Sequence, residues 1–176
     1  MSSSLAGRAN PSLPSGLAAA IARAQPGLLE RVAPSLAVPA WATVDLDRAT
    51  VELGDTVEVG ATVELGAAVA SEAPPADEIL GARARLAELR GGGRLVLLEP
   101  STEGRLAGAL ARHGEGWVAV YLIVPAGPLA GLRRSGTAVT ARAPGPFGPE
   151  RLVLGGPRDG PFVLLVSEVA PPAAGP

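Results

Sequence analysis

The sequence contains no cysteine and only one histidine, His113. Without cysteine the chain forms no disulfide, and it offers neither a thiolate nucleophile nor thiolate ligands for zinc. Lysine is also absent: all 15 basic residues are arginines, scattered among 17 acidic residues, and the formal net charge is −2. Because binding to nucleic acid requires a concentrated basic surface, we expect no DNA or RNA partner.

Long apolar runs and targeting segments are missing as well. No stretch approaches the roughly 20 apolar residues that span a bilayer, so we expect no membrane partner. Met1 is not followed by the charged, apolar and small-residue regions of a secretory signal. Together with the lack of cysteine, this predicts a cytoplasmic protein.

The common motifs of nucleotide binding and acyl transfer do not occur either. The chain has no GxGxxG fingerprint, no Walker phosphate loop and no GxSxG nucleophile elbow. RGGGR (90–94) has three glycines but lacks the following Lys-Ser/Thr, and it is typical of a hairpin turn.

Composition divides the 176 residues into three parts. Residues 1–34 begin with a stretch rich in Ser, Pro and Gly and continue with good helix formers that Pro26 interrupts. This pattern predicts a mobile N-terminal extension with short helical turns. The Pro-rich residues 170–176 predict a disordered tail. One folded domain is therefore expected over residues 35–169.

Strand and helix signals alternate within this domain. The predicted strands are AWATVDL (40–46), RLVLLEP (94–100), WVAVYLIV (117–124), TAVTARA (137–143), ERLVLGG (150–156) and PFVLLVSE (161–168). DEILGARARLAEL (77–89) alternates like a strand, with a helical start also open. A helix is predicted within 101–116, from Ser101 to the closing Gly114, and a shorter one over 128–136. The second half is thus β-α-β-β-β.

Three near-identical hexapeptides occupy residues 50–67: TVELGD, TVEVGA and TVELGA. A hexapeptide period with an aliphatic residue before glycine is typical of a left-handed β-helix, which would make the protein a structural scaffold. Three hexapeptides make one coil, however, and one coil cannot bury its own core. The other interpretation is a repeat insertion in a surface hairpin or loop, with valines on one face and glutamates on the other.

Several segments together resemble the vicinal oxygen chelate superfamily, which includes glyoxalases, methylmalonyl-CoA epimerases, extradiol dioxygenases and bleomycin-resistance proteins. They are VDLDRATVELG (44–54), GRLVLLEP (93–100), ARHGEGWVAVYLIV (111–124) and GPFGPERLVLGGPRDGPFVLLVSE (145–168). The resemblance implies an α+β fold of two β-α-β-β-β modules whose sheets curl around a shared cleft, and many family members dimerise. We therefore expect a homodimer.

The resemblance also places four metal-ligand positions, one on the opening and one on the closing strand of each module, usually filled by His, Glu or Gln. Here the opening strand of module one has no His from Val38 to Trp41, and GEG is followed by Trp117, Val118 and Ala119 instead of a His pair. The closing strands offer Val96 and the apolar stretch 162–165. We expect no metal ion and no cofactor.

Three side chains remain as candidates for catalysis: Glu99, Glu168 and His113. If Val96 faces the cleft, strand alternation turns Glu99 away from it, toward an arginine or solvent. Glu168 lies where the last strand gives way to the Pro-rich tail. His113 lies near a predicted helix C-terminus, where a histidine is commonly exposed and favoured by the helix dipole.

Five aromatic residues indicate where a pocket could form. Alternation places Trp117 and Tyr121 on one face of the opening strand of module two, and Trp41 belongs to the corresponding strand of module one. These three side chains could hold a planar or apolar ligand, although ordinary core or interface positions would explain them too.

The sequence favours a metal-free binding protein for a small organic molecule, by analogy with the resistance proteins that sequester drugs. The alternatives are a glyoxalase-type lyase, isomerase or epimerase that uses Glu99, Glu168 and His113, and the β-helical scaffold.

Overall fold

The computed structural model describes residues 13–53, 57–58, 76–89, 93–101, 103–125, 132, 136–158 and 160–168. Its helices are α1 (Ser15–Ala24), α2 (Leu28–Val32), α3 (Leu46–Leu53) and α4 (Arg105–His113). Its strands are β1 (Leu36–Ala42), β2 (Val57–Glu58), β3 (Ala76–Asp77), β4 (Ala82–Leu89), β5 (Gly93–Pro100), β6 (Gly116–Val124), β7 (Glu150–Leu152) and β8 (Phe162–Ser167).

All eight strands belong to one curled sheet of order β2-β4-β5-β1-β6-β8-β7, with β3 paired to β4. The first module comprises β1, α3, β2, β4 and β5. The second comprises β6, the helical residue Leu132, single bridges at Val139 and Ala143, β7 and β8. The modules meet where β1 pairs antiparallel with β6. The predicted α+β fold of two β-α-β-β-β modules is confirmed.

The two faces of the sheet carry separate apolar clusters because side chains alternate along each strand. The inner face carries Val38, Ala40, Ala84, Val96, Leu98, Ala119, Tyr121, Ile123, Phe162, Leu164 and Val166. On the outer face, α3 packs over Leu95 and Leu97, while α1 and α2 pack over Val120, Leu122, Val163 and Leu165. The inner face is the one that family resemblance assigns to the cleft.

The N-terminal helices are part of the packed fold. Leu17 and Ile21 of α1 and Leu28 and Val32 of α2 are buried against the outer face. The helical turns were predicted, and the interruption at Pro26 falls between the two helices. The expectation of a mobile extension is corrected for Ser15–Val32, because four apolar side chains at helical spacing have a sheet face to cover. Residues 1–12 and 170–176 lie outside the described residues.

The hexapeptide segment begins as a helix. Residues 50–53 form the end of α3, and Val57–Glu58 form β2; residues 59–75 lie outside the described residues. The described start of the segment is therefore not a β-helix coil. The helix starts early because the Asp45 carboxylate accepts hydrogen bonds from the backbone N–H groups of Asp47 and Arg48. This cap ends the predicted strand 40–46 at Ala42.

Two other predicted elements are shorter than expected. The helix predicted within 101–116 runs from Arg105 to His113 and ends at Gly114, whose φ of 71° favours glycine. The strand predicted over 137–143 is reduced to two single bridges, Val139 to Val153 and Ala143 to Glu150. None of the helices in the described part of the chain has the length and apolar character needed to cross a bilayer.

Candidate functional site

Four apolar residues form one row across the middle of the inner face. Ala40 of β1 is the register partner of Val96 on β5 and of Ala119 on β6, and Ala119 is the partner of Phe162 on β8. Ala40, Val96 and Ala119 are fully buried, and Phe162 is 4% exposed. We call these residues the apolar row. They fall within all four stretches where family resemblance places a metal ligand.

The chain's own side chains cover much of the inner face. Leu106 and Ala109 of α4 pack against it, as do Leu80 from the turn after β3 and Phe147 from the loop before β7. Gly104 allows the close approach of α4, since a Cβ there would lie 3.1 Å from the Leu80 carbonyl oxygen. Among the described residues, no three His, Cys, Asp or Glu side chains are grouped so that they could hold a metal ion.

An open pocket of about 230 Å³ lies at the start of β6, beside the C-terminal end of α4. We call it the Trp117 pocket. Its walls are built by α4, the following turn, the start of β6 and the segment before β8. It is lined by Ala42, Ala109, Leu110, His113, Gly114, Glu115, Gly116, Trp117, Val118, Gly160 and Pro161. Two residues singled out from the sequence, His113 and Trp117, therefore line one pocket.

The two polar side chains of this pocket, Glu115 and His113, differ in whether they are free to hydrogen-bond a ligand. Glu115 accepts hydrogen bonds from the Thr43 hydroxyl at 2.7 Å and from the Val44 N–H at 2.8 Å, and it pairs with Arg48. The hydrogen bond from Arg48, followed by the one from Thr43, lowers the pKa of Glu115 to about 2. Glu115 is thus committed to protein partners, whereas the exposed His113 at the end of α4 can hydrogen-bond a ligand.

Trp41, Trp117 and Tyr121 do not share one face, which corrects the expectation from alternation. The β1–β6 register shifts after Ala40, so that Val118 is an extra residue on β6 and Trp117 lies opposite Trp41. Val118 and Ala119 therefore both belong to the inner-face cluster, and Trp117 lies with Trp41 on the outer side of the sheet. The two indole rings meet edge to face with centroids 5.1 Å apart. Tyr121 lies on the inner face and is fully buried. Its ring meets the ring of Phe147 edge to face, with the two centroids 5.3 Å apart.

A buried polar cluster of Asp77, Tyr121 and Glu150 lies on the inner face, beside the loop that runs from Ala143 to Glu150 before β7. Asp77 Oδ1 accepts a hydrogen bond from the Leu80 N–H at 2.7 Å, and Oδ2 accepts one from the Tyr121 hydroxyl at 2.5 Å. Glu150 is completely buried, and within the described residues no donor reaches its carboxyl oxygens; its own proton can bond the neighbouring Asp77 carboxylate. We call these three residues the acid cluster.

Burial changes the ionisation of this cluster. Removal from water, and then the nearby Asp77 carboxylate, raise the pKa of Glu150 to about 10. Burial also raises the pKa of Asp77, against the opposing effect of hydrogen bonds from Tyr121 and Leu80. For Tyr121, burial and then the Asp77 charge raise the pKa further above its ordinary value. At neutral pH the Glu150 carboxyl is therefore protonated and uncharged.

Asp77 and Glu150 were not among the candidate residues predicted from the sequence. Glu150 carried a signal: it has the same strand parity as Leu152, so both must face the same side of β7, and Leu152 is apolar. A carboxylate that shares a buried face with a leucine indicates either a paired charge or a functional group. Asp77 carried no such signal, because its strand has two residues and its partner Tyr121 is 44 residues away.

The three candidates for catalysis lie on separate elements. Glu99 of β5 forms an ion pair with Arg83 of β4 at 2.5 Å, and the two are register partners. Glu168 is exposed at the end of β8, where its backbone N–H donates to Val124. His113 is exposed at the end of α4 and lines the Trp117 pocket. The structure does not bring these three side chains together.

Neither family models nor curated protein sequences match this chain. Solved structures are similar in fold. The methylmalonyl-CoA epimerase of Mycobacterium tuberculosis matches with a TM-score of 0.56 and 20% identity, covering 75% of this chain and 86% of that one. A Streptomyces coelicolor methylmalonyl-CoA epimerase variant in complex with 2-nitronate-propionyl-CoA matches with a TM-score of 0.55 and 23% identity, covering 75% and 95%. A Bacillus halodurans hypothetical protein matches with a TM-score of 0.54 and 15% identity, covering 75% and 92%.

These similarities define the class of fold. Methylmalonyl-CoA epimerases belong to the vicinal oxygen chelate superfamily, and this chain has the fold of that superfamily. At identities of 15 to 23%, the likeness concerns the fold alone.

Proposed function

We propose that this protein binds a small organic ligand in the Trp117 pocket, without a metal ion. The observation that carries the proposal is the apolar row. Divalent metal ions in proteins are held by oxygen, nitrogen or sulfur donors, and the side chains of Val96, Ala40, Ala119 and Phe162 have none. The four positions of the apolar row therefore offer no donor for the metal ion on which the chemistry of metal-dependent relatives would depend.

The Trp117 pocket sets the chemistry of the ligand. Ala42, Leu110, Val118 and Pro161 give it apolar walls, and His113 adds a hydrogen-bonding group. Its volume of about 230 Å³ is below the roughly 300–1,000 Å³ typical of pockets for drug-sized molecules. The ligand is therefore a small molecule, or a larger one that inserts a single apolar end beside the histidine.

Intrinsic fluorescence provides a direct test, because Trp41 and Trp117 are the only tryptophans and their rings touch. A library of small aromatic and aliphatic molecules with one hydrogen-bonding group would be screened for quenching or spectral shift. We expect saturable changes for a subset of these molecules. The W41F variant, which retains Trp117, should report the same ligands.

Two glycine variants separate binding in the pocket from binding elsewhere. Gly116 lines the pocket, and a Cβ there would meet no atom within 4 Å, so G116L can fold while it narrows the space. Gly108 on α4 has equally free surroundings but does not line the pocket, which makes G108L the matched control. We expect G116L to lose the fluorescence response and G108L to keep it. Equal responses in both variants would contradict the proposed location.

Metal binding tests the other half of the proposal. Zinc, nickel, cobalt and manganese would be offered to the purified protein and the bound metal measured after dialysis. We expect no stoichiometric binding. Stoichiometric binding that Glu99→Gln or Glu168→Gln abolishes would instead favour the glyoxalase-type lyase, isomerase or epimerase.

We also propose that the protein is a homodimer, as the resemblance to the superfamily implies. The exposed apolar side chains of Val44 and Val51, 62% and 79% exposed, are candidates for the contact surface. Light scattering coupled to size-exclusion chromatography would give the mass in solution, and V44E should shift a dimer toward monomer. A monomeric mass at every concentration would exclude this assembly.

A further inference from the structure

Residues 136–158 carry a local excess of positive charge. The charged residue types in this segment are Arg142, Arg151, Arg158 and a single acid, Glu150. Glu150 is completely buried, and its burial, together with a neighbouring carboxylate, keeps it protonated and uncharged at neutral pH. The segment is therefore cationic, although the whole chain has a formal net charge of −2.

Arg142 is the arginine of this segment whose charge is left without a counter-ion beside a pocket. Its side chain is exposed and, among the described residues, it has no hydrogen-bond or ion-pair partner. Arg151, on the other side of the Ala143–Glu150 bridge, instead donates to the Thr140 carbonyl oxygen at 2.8 Å. An unpaired arginine on a surface is common, so the pocket next to Arg142 has to decide whether it is part of a site.

This pocket lies on the loop before β7. Its volume of about 390 Å³ is within the roughly 300–1,000 Å³ typical of pockets for small organic ligands. It is lined by Arg142, Ala143, Pro144, Gly145, Gly148 and Pro149. Among these residues Arg142 is the only charged one, and the other five offer no polar side chain. We call this apolar surface with one cation at its wall the Arg142 pocket.

The loop holds the wall of the pocket in one conformation before any ligand binds. Two backbone hydrogen bonds of 2.9 and 3.1 Å join Ala143 to Glu150, and the Gly148 N–H donates to the Gly145 carbonyl oxygen at 3.0 Å. Three of the six residues 144–149 are prolines, whose rings fix φ. A preformed wall spares a ligand the entropy cost of ordering the loop.

The buried acid behind the loop does not oppose an anion in the pocket. The Gly145 backbone lies between the Glu150 carboxyl and the pocket. Because this carboxyl is uncharged at neutral pH, it adds no negative charge behind the wall. The charge that a ligand meets in the Arg142 pocket is therefore that of the guanidinium group.

We propose that the Arg142 pocket binds a small organic acid, whose carboxylate pairs with Arg142 while its apolar body lies against Pro144 and Pro149. A guanidinium group is planar and presents parallel N–H donors that match the two oxygens of a carboxylate. A cationic ligand would be repelled, and a neutral one would leave the charge of Arg142 without a counter-ion. The site goes beyond the proposed function, since the Arg142 and Trp117 pockets share no lining residue.

Calorimetry with hexanoate tests the site in the full-length protein. Hexanol is the comparison that lacks the charge, and acetate is the one that lacks the apolar body. We expect saturable binding of hexanoate, with both comparison molecules binding at least about tenfold more weakly. Added sodium chloride should weaken the binding of hexanoate, because salt screens exposed charges.

Three results of these titrations would overturn the proposal. They are the absence of saturable hexanoate binding, equal binding of hexanoate and hexanol, and displacement of hexanoate by equimolar inorganic phosphate. The last result would indicate a site for simple anions, in which the apolar wall has no role.

Arg142→Gln identifies the cation, and Arg158→Gln is its matched control. Arg158 is an exposed arginine of the same segment that does not line the pocket. We expect R142Q to lose affinity for hexanoate by at least about tenfold, the size of a charge-assisted hydrogen bond, and R158Q to bind like the wild type. Unchanged binding in R142Q would refute the site. Equal losses in both variants would refute it too, because they would show general attraction to a cationic segment.

The two proposed pockets are separated by exchanging their variants. G116L should bind hexanoate like the wild type, and R142Q should keep the fluorescence response of the Trp117 pocket. If G116L abolished hexanoate binding and R142Q retained it, the carboxylate would lie in the Trp117 pocket. That result would overturn the Arg142 site and leave the proposed function standing.

Discussion

The Glu150 carboxyl lies directly against Gly145, in the space that any larger residue at position 145 would need for its side chain. Gly145 is not among the residues with positive φ, so its backbone conformation is open to other amino acids. The glycine is thus required by the carboxyl beside it. This relationship ties the loop before β7 to the acid cluster on the inner face.

Gly145→Ala should therefore destabilise the protein by about 1–3 kcal/mol, the usual range for overpacking a buried site. In the Glu150→Ala background the same change should be much less harmful, because the clashing carboxyl is gone. Urea unfolding of the four proteins in this double-mutant cycle measures the coupling.

Gly108→Ala serves as the control for this cycle. A Cβ at Gly108 meets no atom within 4 Å, so the substitution should stabilise α4 by about 0.5–1 kcal/mol through helix propensity. Equal effects of Gly145→Ala in both backgrounds would show that the carboxyl does not limit the space.

Replacement of Glu150 should change how stability depends on pH. The carboxyl has a pKa of about 10 in the folded protein against 4.5 as its ordinary value. Between these values folding takes up a proton, so the wild-type free energy of unfolding falls as pH rises. The difference in free energy of unfolding between E150Q and the wild type should be constant below pH 4.5. Toward pH 10 it should shift in favour of E150Q.

Denaturant unfolding over this pH range measures the effect, and Asp77→Asn provides the comparison. Burial raises the pKa of Asp77 too, so Asp77 also makes the free energy of unfolding fall as pH rises. Its replacement by asparagine should remove this second contribution to the pH dependence. Parallel pH profiles for E150Q and the wild type would mean that Glu150 is ionised in the folded protein.

Glu115→Gln should have the opposite pH signature. Arg48, Thr43 and the Val44 N–H hold the pKa of Glu115 at about 2, below its ordinary 4.5. The carboxylate therefore contributes stability that is fully present above pH 4.5 and is lost as pH falls toward 2. The difference in unfolding free energy between wild type and E115Q should shrink through this range.

The control for this variant is Glu52→Gln. Glu52 is the other partner of Arg48, four residues along α3, and its side chain is 60% exposed. Exposed pairs of this kind contribute little, so E52Q should be nearly neutral. A larger loss in E52Q than in E115Q would contradict the assignment of Glu115 as the partner that joins the turn after β1 to the turn after α4.

Ile21→Ala tests whether the N-terminal helices stabilise the fold. Ile21 is completely buried against the outer face of the sheet, and removing such a side chain typically costs about 2–5 kcal/mol. Arg23→Ala, at an exposed position of the same helix, should change stability little. Thermal or urea unfolding compares the two, and equal stability of I21A and the wild type would restore the expectation of a mobile extension.

Local sequence patterns predicted the elements well where apolar runs were continuous. The runs of β5, β6 and β8 are strands, and their inner residues Val96, Ala119 and Phe162 are apolar, as the sequence showed directly. A continuous apolar run indicates which residues are buried. It does not state which strands are neighbours, so the alignment of these residues with Ala40 in one row came only from the register.

Strict alternation failed where the backbone deviates from it. The extra residue at Val118 turned Trp117 toward Trp41 and away from the face of Tyr121. A bulge depends on how two strands pair and not on the composition of either strand, so its position could not be read from WVAVYLIV. The three aromatic residues expected to form one site therefore lie in two places: Trp41 contacts Trp117, and Tyr121 contacts Phe147.

The sequence by itself determined the order of the elements in the second half and the lack of donor side chains along the apolar row, because these depend on local periodicity and residue type. The two-module architecture was implied by the resemblance to the superfamily. Only the tertiary structure decided that Asp77, Tyr121 and Glu150 meet and that α1 and α2 cover the outer face. These contacts join residues far apart in the chain, and the curling of one sheet sets which of them become neighbours.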